Sequence, residues 1–153
     1  MTLRRLDHVA VVVRSTNDAV RFFHDRMGLP VHSSEEIPSP HVRLTYLDAG
    51  NAFVQLVEPL DTESALAEWL DENGEGLHHI CFGVDDVTDA VQAFGDDGAP
   101  AVLGSGRGRV SAFVSTAGSP GVRIECTEFV RELDVDGVPG WLAEPAPELD
   151  AHA

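Results

Sequence analysis

Apolar and polar residues follow the same order twice along this chain. In each passage an apolar run typical of a buried strand precedes apolar residues at helical spacing, and runs of alternating polarity follow. The predicted strands cover residues 6–13, 31–36, 42–48, 52–57, 78–84, 100–103, 110–115 and 121–127, and the predicted helices cover residues 16–27, 64–71 and 87–94.

The predicted helices at 16–27 and 87–94 have similar residues at their two ends. Residues 15–18 and 85–88 offer side-chain oxygens that cap a helix N-terminus, and Gly28 and Gly98 stand where each helix should end. The pattern therefore predicts an α+β protein built from two tandem βαβββ modules. We expect a single domain over residues 1–128, with module 1 at about 3–60, a linker helix at about 61–76 and module 2 at about 77–128, followed by an acidic, proline-containing tail at 129–153.

Four polar residues occupy matching places in the two modules, inside strands that are otherwise apolar. His8 and His79 are 71 positions apart (79 − 8), and Gln55 and Glu125 are 70 positions apart (125 − 55). An unpaired polar group in such a strand costs on the order of 2 kcal/mol or more, so each needs a partner. A single histidine there would indicate a structural hydrogen bond, but the repeated set favours a divalent metal ion. Gln55 could instead bond to neighbouring backbone.

The charge of the chain limits its partners. The formal net charge is −16, and all ten cationic residues are arginines. Nucleic acid is a poor partner for such a surface, and without lysine the chain cannot form a Schiff base with a carbonyl substrate. An anionic ligand would need a local arginine cluster. Arg107 and Arg109, in a glycine-rich loop, either bind a phosphate or carboxylate or are simply solvated.

The two cysteines and the absence of long apolar segments indicate the cellular compartment of the protein. Cys81 and Cys126 lie inside apolar strands without the spacing of a paired motif, so a reducing environment is expected. Neither a secretory signal nor a membrane-spanning run is apparent. We expect a cytoplasmic protein with no membrane partner.

Several segments resemble one known superfamily. They are residues 6–10 (LDHVA), 55–60 (QLVEPL), 74–82 (GEGLHHICF) with 84–86 (VDD), and 121–125 (GVRIE). Together they resemble the vicinal oxygen chelate (glyoxalase, bleomycin resistance and extradiol dioxygenase) superfamily, and within it the methylmalonyl-CoA epimerase family most closely. The resemblance implies that the modules form an eight-stranded open cup. It also implies that His8, Gln55, His79 and Glu125 bind one Co, Mn, Zn or Ni ion and leave two positions for water or substrate.

This resemblance implies a metal-dependent epimerase of an acyl thioester. A bound acyl-CoA or related carboxylate would lose its C2 proton and form a metal-stabilised enolate, with Glu125 as one acid or base. The family's second glutamate is replaced by Leu44. The second group could be Tyr46, a water molecule or one of the nearby carboxylates of residues 35–36.

Other members of the superfamily remain alternatives. A glyoxalase-like lyase would normally carry a carboxylate in place of Gln55, and a dioxygenase with a facial triad would leave that position empty. A ligand-sequestering resistance protein often lacks the four metal ligands altogether. Family precedent and the exposed strand edges of such cups also imply a homodimer.

The remaining singled-out residues have structural interpretations. Strand alternation predicts that His78 points away from His79 and lies at a surface or interface. We expect Cys81, Trp69 and Trp141 to be packing residues, and the carboxylates of residues 35–36 to be solvated.

Overall fold

The computed structural model describes residues 2–94, 103–104 and 106–129, and eight strands and three helical segments position the site. The helical segments are α1 (Thr16–Val20, continued by a π-helical turn at Arg21–Arg26), α2 (Ala65–Asn73) and α3 (Val87–Phe94). The strands are β1 (Leu3–Val12), β2 (Val31–Pro38), β3 (His41–Asp48), β4 (Phe53–Pro59), β5 (Gly76–Val84), β6 (Leu103–Gly104), β7 (Ser111–Phe113) and β8 (Ile124–Glu128).

All eight strands belong to one mixed sheet in the order β2-β3-β4-β1-β5-β8-β7-β6. In each module the first strand pairs in parallel with the last, β1 with β4 and β5 with β8. The modules join where β1 and β5 pair antiparallel, and we call this junction the seam. The predicted fold of two βαβββ modules in an eight-stranded cup is confirmed.

The helical segment that starts at Thr16 and α3 cover one side of the sheet, and the other side faces a cavity that α2 helps to line. In module 1, the helix that starts at Thr16 packs Ala19, Val20 and Phe23 against Val13, Leu47 and Leu56. In module 2, Val87 and Ala90 of α3 pack against Val84, Ala112 and Cys126. Burial of these apolar side chains stabilises each module and fixes the opposite face of its sheet.

The local signals placed most element boundaries correctly. Ser15 caps α1 by accepting a hydrogen bond from the Asp18 backbone N–H (3.2 Å), and Gly28 ends the helical segment with a φ of +82°. The second strand extends two residues beyond its predicted end at residue 36, because β2 pairs with β3 as far as Pro38 and His41. A proline at the last position of a strand leaves the preceding ladder intact.

Some predictions fall outside the described residues. These are the cap at Gly98, most of the strand at 100–103, Trp141, and the tail beyond residue 129. The domain boundaries therefore stay predictions. No helix within the described ranges is long and apolar enough to cross a membrane.

The seam contains an irregularity in β1. Leu6 is paired with Phe82, and His8 is paired with Cys81, the residue next to Phe82. Asp7 is therefore an extra residue in β1, as in a β-bulge. A bulge breaks the alternation of side chains, so the Asp7 carboxylate lies against the His8 ring, with Oδ2 2.7 Å from Nδ1.

A second irregularity occurs in β5. Ala10 is paired with His79 and Val11 with Leu77, which leaves His78 as the extra residue. His78 consequently lies against His79, with their Nδ1 atoms 2.8 Å apart. The prediction that His78 faces away from His79 is wrong, because strand alternation does not hold through a bulge.

Candidate metal centre

The four predicted metal ligands lie on four neighbouring strands around one cavity. His8 is on β1, Gln55 on β4, His79 on β5 and Glu125 on β8. All four line a cavity of about 610 Å³ on the face of the sheet opposite α1 and α3. The parallel pairing of first and last strands in each module brings its two polar residues side by side.

Three of these residues lie close enough to share an ion. Glu125 Oε1 is 3.8 Å from His8 Nε2, and Glu125 Oε2 is 3.4 Å from His79 Nε2. One donor atom from each residue lies within 4.8 Å of the other two. Two ligands that each bind a metal at about 2.1 Å are at most about 4.2 Å apart, so both separations from Glu125 suit a shared cation.

Buried lone pairs at the site fit the same interpretation. His8 Nε2, His79 Nε2 and Gln55 Oε1 are buried and have no hydrogen-bond partner among the described residues. Leaving three such atoms unpaired is costly, and two nitrogens and an oxygen form a donor set that divalent transition metals accept. The residues present therefore fit a metal ion.

Each of the three side chains that carry these donor atoms also makes a hydrogen bond through a second atom, which is a nitrogen. The bonds are His8 Nδ1 with Asp7 Oδ2 (2.7 Å), His79 Nδ1 with His78 Nδ1 (2.8 Å), and Gln55 Nε2 donating to the Tyr46 hydroxyl (2.8 Å). Partners of this kind orient metal ligands in proteins and fix the tautomer of a ligating histidine.

Burial sets the charge state of the donors. Burial, helped by the positive charge of neighbouring His8 when protonated, lowers the pKa of His79 to about 2, so its ring is neutral as a ligand must be. Burial also raises the pKa of Glu125 above its ordinary value, although His8 acts in the opposite direction. A carboxylate with a raised pKa is a stronger base once ionised.

Asp7 connects His8 to a group of arginines. Burial opposes the charge on Asp7, but hydrogen bonds from His8 and Arg107 hold its pKa well below the usual range. Arg107 Nη2 is 2.5 Å from Asp7 Oδ2, and Arg5 and Arg109 are each 3.7 Å from Oδ1. The sequence analysis missed Asp7, although its place before His8 matches that of His78 before His79.

Arg107 is a wall of the cavity and not a solvated loop residue. Its side chain is 10% exposed, and its guanidinium lies 4.4 Å from the centroid of the Tyr46 ring. Its backbone N–H donates to Glu35 Oε1 at 2.5 Å. The alternative in which Arg107 and Arg109 are solvated is wrong, because both side chains are mostly buried, and the prediction that Glu35 is only solvated is wrong too.

The lining of the cavity is otherwise mainly apolar. Among the described lining residues, Glu125 is the only carboxylate, and Leu44 contributes a hydrocarbon surface from β3. Arg109 and Glu35 are not part of this lining. The remaining apolar lining comes from Ile37, Pro40, Val42, Val57, Ala65, Leu66, Trp69 and Phe113.

The fold and this set of residues define the class of the protein. The chain belongs to the Glyoxalase/Bleomycin resistance protein/Dioxygenase superfamily, whose family model matches residues 7–116.

The chain is also similar in sequence to individual members of this superfamily. The chain is 30% identical over 130 residues to the uncharacterized protein YqjC of Bacillus subtilis, a match that covers 82% of this chain and 93% of that protein. It is 32% identical over 109 residues to the ethylmalonyl-CoA/methylmalonyl-CoA epimerase of Cereibacter sphaeroides, a match that covers 71% of this chain and 81% of that protein. The match to the human mitochondrial methylmalonyl-CoA epimerase is 34% over 90 residues and covers 58% of this chain, but it spans only about half (51%) of that protein.

A solved structure shows the same fold. A variant of the Streptomyces coelicolor methylmalonyl-CoA epimerase, in complex with 2-nitronate-propionyl-CoA, superposes with a TM-score of 0.73 at 31% identity. The match covers 83% of this chain and 95% of that one.

Proposed function

We propose that this protein is a metal-dependent epimerase of a malonyl-type acyl thioester. The observation that carries the proposal is the set of three buried donor atoms on His8, Gln55 and His79, which have no hydrogen-bond partner in the described part of the chain and lie beside the carboxylate of Glu125. The named epimerases among the relatives support the reaction class. We assign one Co, Mn, Zn or Ni ion to these four residues.

The cavity supports an acyl-CoA substrate. Its mainly apolar lining suits the alkyl branch and thioester arm of such a molecule, and its volume of about 610 Å³ exceeds the acyl group alone. Arg107 and Arg123 line the same cavity and supply positive charge for the substrate carboxylate in a chain of net charge −16. The Streptomyces relative is in complex with an acyl-CoA analogue, which agrees with this assignment.

Glu125 is assigned as the base. When bound, the metal would act as a Lewis acid that polarises a substrate carbonyl. The Glu125 carboxylate then takes the C2 proton: the C–H bond breaks, an O–H bond forms on Glu125, and the C–H electron pair moves into the enolate. Among the described lining residues no other carboxylate competes for this role.

Protonation on the opposite face is assigned to Tyr46. Its hydroxyl oxygen accepts a hydrogen bond from Gln55, which leaves the phenolic proton available for donation. Burial raises the pKa of Tyr46 to about 12, although Arg107 opposes the shift, so the group keeps its proton at neutral pH. Leu44, which lines the same wall, cannot exchange a proton.

Hydrogen exchange in deuterated water tests the proposal. The protein, loaded in turn with Co²⁺, Mn²⁺, Zn²⁺ or Ni²⁺, is incubated with (2R)- or (2S)-methylmalonyl-CoA, and NMR follows deuterium at C2 and the ratio of epimers. We expect metal-dependent exchange from both epimers. Absence of exchange with any of the four metals, or exchange that survives complete metal removal, would contradict the proposal.

Two variants separate the assigned roles. Glu125→Gln keeps an oxygen ligand but removes the base. Exchange should therefore be lost for the epimer whose C2 proton points toward residue 125, while much of the metal is retained. Tyr46→Phe should slow epimerisation more than exchange, because proton removal by Glu125 remains. Equal loss of both rates in Tyr46→Phe would contradict its role as the second acid.

We also propose that the protein forms a homodimer. Among the described residues the sheet ends at β2 and β6, and a second copy of the chain pairing with one of these edge strands would give the homodimer that we propose. Light scattering of the purified protein tests it.

A further inference from the structure

A second duplication in the molecule concerns the residue that precedes each histidine. Asp7 and His78 are the extra residues of two of the three irregularities in the seam, and they are 71 positions apart (78 − 7), like His8 and His79. Each makes a hydrogen bond with Nδ1 of the histidine that follows it, at 2.7 and 2.8 Å. We propose that Asp7 and His78 are positioning residues, which turn Nε2 of His8 and His79 toward one ion. This inference rests on the metal-dependent function proposed above.

The bulges are the structural reason that the pairs form. In a regular strand, neighbouring side chains point to opposite faces of the sheet, so Asp7 would leave His8 and His78 would leave His79. An extra residue re-aims its side chain at the cost of regular ladder pairing. Both irregularities place a polar group directly before a buried histidine whose Nε2 has no described partner.

Each positioning residue is itself held in place. The Asp7 carboxylate is almost fully buried and is bound by Arg107 at 2.5 Å. The His78 ring makes edge contacts with Trp69 and Phe113, at centroid distances of 4.9 and 6.2 Å. These contacts restrict the rotation of both side chains, so the histidine rings bonded to them are restricted as well.

The two pairs differ in how they fix a proton. The ionised Asp7 only accepts, so the His8 proton stays on Nδ1 and Nε2 offers a lone pair. His78 Nδ1 can accept the Nδ1 proton of His79 only when the proton of His78 is on its own Nε2. That Nε2 is the atom that contacts Arg123 Nη1. Because the Arg123 residue is exposed, its side chain can turn away at little cost.

Binding of Co²⁺ to the full chain tests the proposal. Calorimetry gives the affinity, and the visible absorption of bound Co²⁺ reports the geometry of its ligands. His78→Phe keeps a ring between Trp69 and Phe113 but removes both nitrogens, and Asp7→Ala removes the acceptor for His8. We expect each to weaken Co²⁺ binding by about 10- to 100-fold and to change the absorption spectrum.

Two further variants make the test specific. Asp7→Asn keeps an acceptor for His8 Nδ1 and should recover much of the affinity lost in Asp7→Ala. Leu77→Ala changes an exposed neighbour of His78 (69% exposed) and should leave Co²⁺ affinity unchanged. Thermal melting checks folding, and if Asp7→Ala does not fold, Asp7→Asn and His78→Phe still decide.

The outcomes separate this inference from the proposed function. If the wild-type chain binds Co²⁺ and His78→Phe binds it within about twofold with the same spectrum, His78 is not a positioning residue and the inference fails alone. If the wild-type chain binds none of the four metals, the proposed function fails as well.

Discussion

Arg107 shows how much of the site depends on a residue that is not itself a donor. It binds Asp7, lies over the ring of Tyr46, and bonds to Glu35 through its backbone. It also adopts a left-handed backbone conformation (φ +58°, ψ +28°), which is costly for a residue with a Cβ atom. The buried contacts of its side chain outweigh this cost, so a backbone position suited to glycine or asparagine holds an arginine.

At the residue scale, loss of the Arg107 guanidinium should destabilise the protein. Arg107→Met leaves the buried Asp7 carboxylate without its closest cation, and breaking a buried ion pair typically costs about 3 kcal/mol or more. Chemical denaturation of the metal-free protein measures the loss in unfolding free energy. Adding Asp7→Asn to Arg107→Met should recover part of that loss, and strictly additive effects would show that the two residues do not interact.

At the element scale, the 3-10 turn at Gly106–Gly108 closes one side of the cavity. Gly106 packs against β3 so closely that an added Cβ atom would lie 2.3 Å from the Tyr46 hydroxyl oxygen and 3.2 Å from Leu44 Cδ1. The turn and β3 therefore fit together only with glycine at this position. This contact links the loop to Gln55, because the Tyr46 hydroxyl accepts the hydrogen bond from its carboxamide.

Gly106→Ala should displace Tyr46 or the turn. We expect a loss of about 1–3 kcal/mol in unfolding free energy, as for other overpacked sites, together with weaker metal binding through Gln55. Gly108→Asn is the matched control, since Gly108 has a φ of +66° with open space around it and asparagine tolerates that conformation. Denaturation and Co²⁺ titration of both variants check the prediction, which fails if Gly106→Ala behaves like Gly108→Asn.

The sequence predicts elements better than it predicts the contacts between them. Polarity and capping residues were sufficient for the order of strands and helices, because these signals are local. The internal repeat was sufficient to predict that His8, Gln55, His79 and Glu125 lie together at one cavity. The positions of Asp7 and His78 were not predictable from strand periodicity, since a bulge is decided by pairing between β1 and β5. The burial of Arg107 likewise depends on tertiary contacts with Asp7 and Tyr46.

At the scale of the whole molecule, the donors come from both modules and meet across the seam. His8 and Gln55 belong to module 1, and His79 and Glu125 belong to module 2. An ion bound by all four would therefore hold the two modules together. With this arrangement only the folded chain would bind the ion, so metal binding would be coupled to stability.

Added metal should raise the melting temperature. At a free Co²⁺ concentration near 100 times the dissociation constant, the expected stabilisation is about 2.7 kcal/mol, or roughly 5–10 °C for a domain of this size. Differential scanning calorimetry with and without chelator measures the shift. A His79→Phe variant should show no such shift, whereas an equal shift in that variant would mean that the ion binds elsewhere.

Both thiols should resist modification in the folded protein. Cys81 and Cys126 are 0% exposed, and burial raises the pKa of both, that of Cys126 to about 11. Since the thiolate is the reactive form, a thiol reagent should titrate neither residue at neutral pH before unfolding and both in concentrated guanidinium. Rapid reaction of the native protein would show that the sheet opens locally near the seam.

The contact between Arg123 and His78 implies an order of events. His78 has one proton to place, so the tautomer that serves a ligating His79 deprives Arg123 of its acceptor. Binding of an ion by His79 would thus release the guanidinium of Arg123, a residue that lines the same cavity. The proposed function therefore predicts that loading with Co²⁺ strengthens the binding of an acyl-CoA, which titration of the metal-free and the Co²⁺-loaded protein would measure.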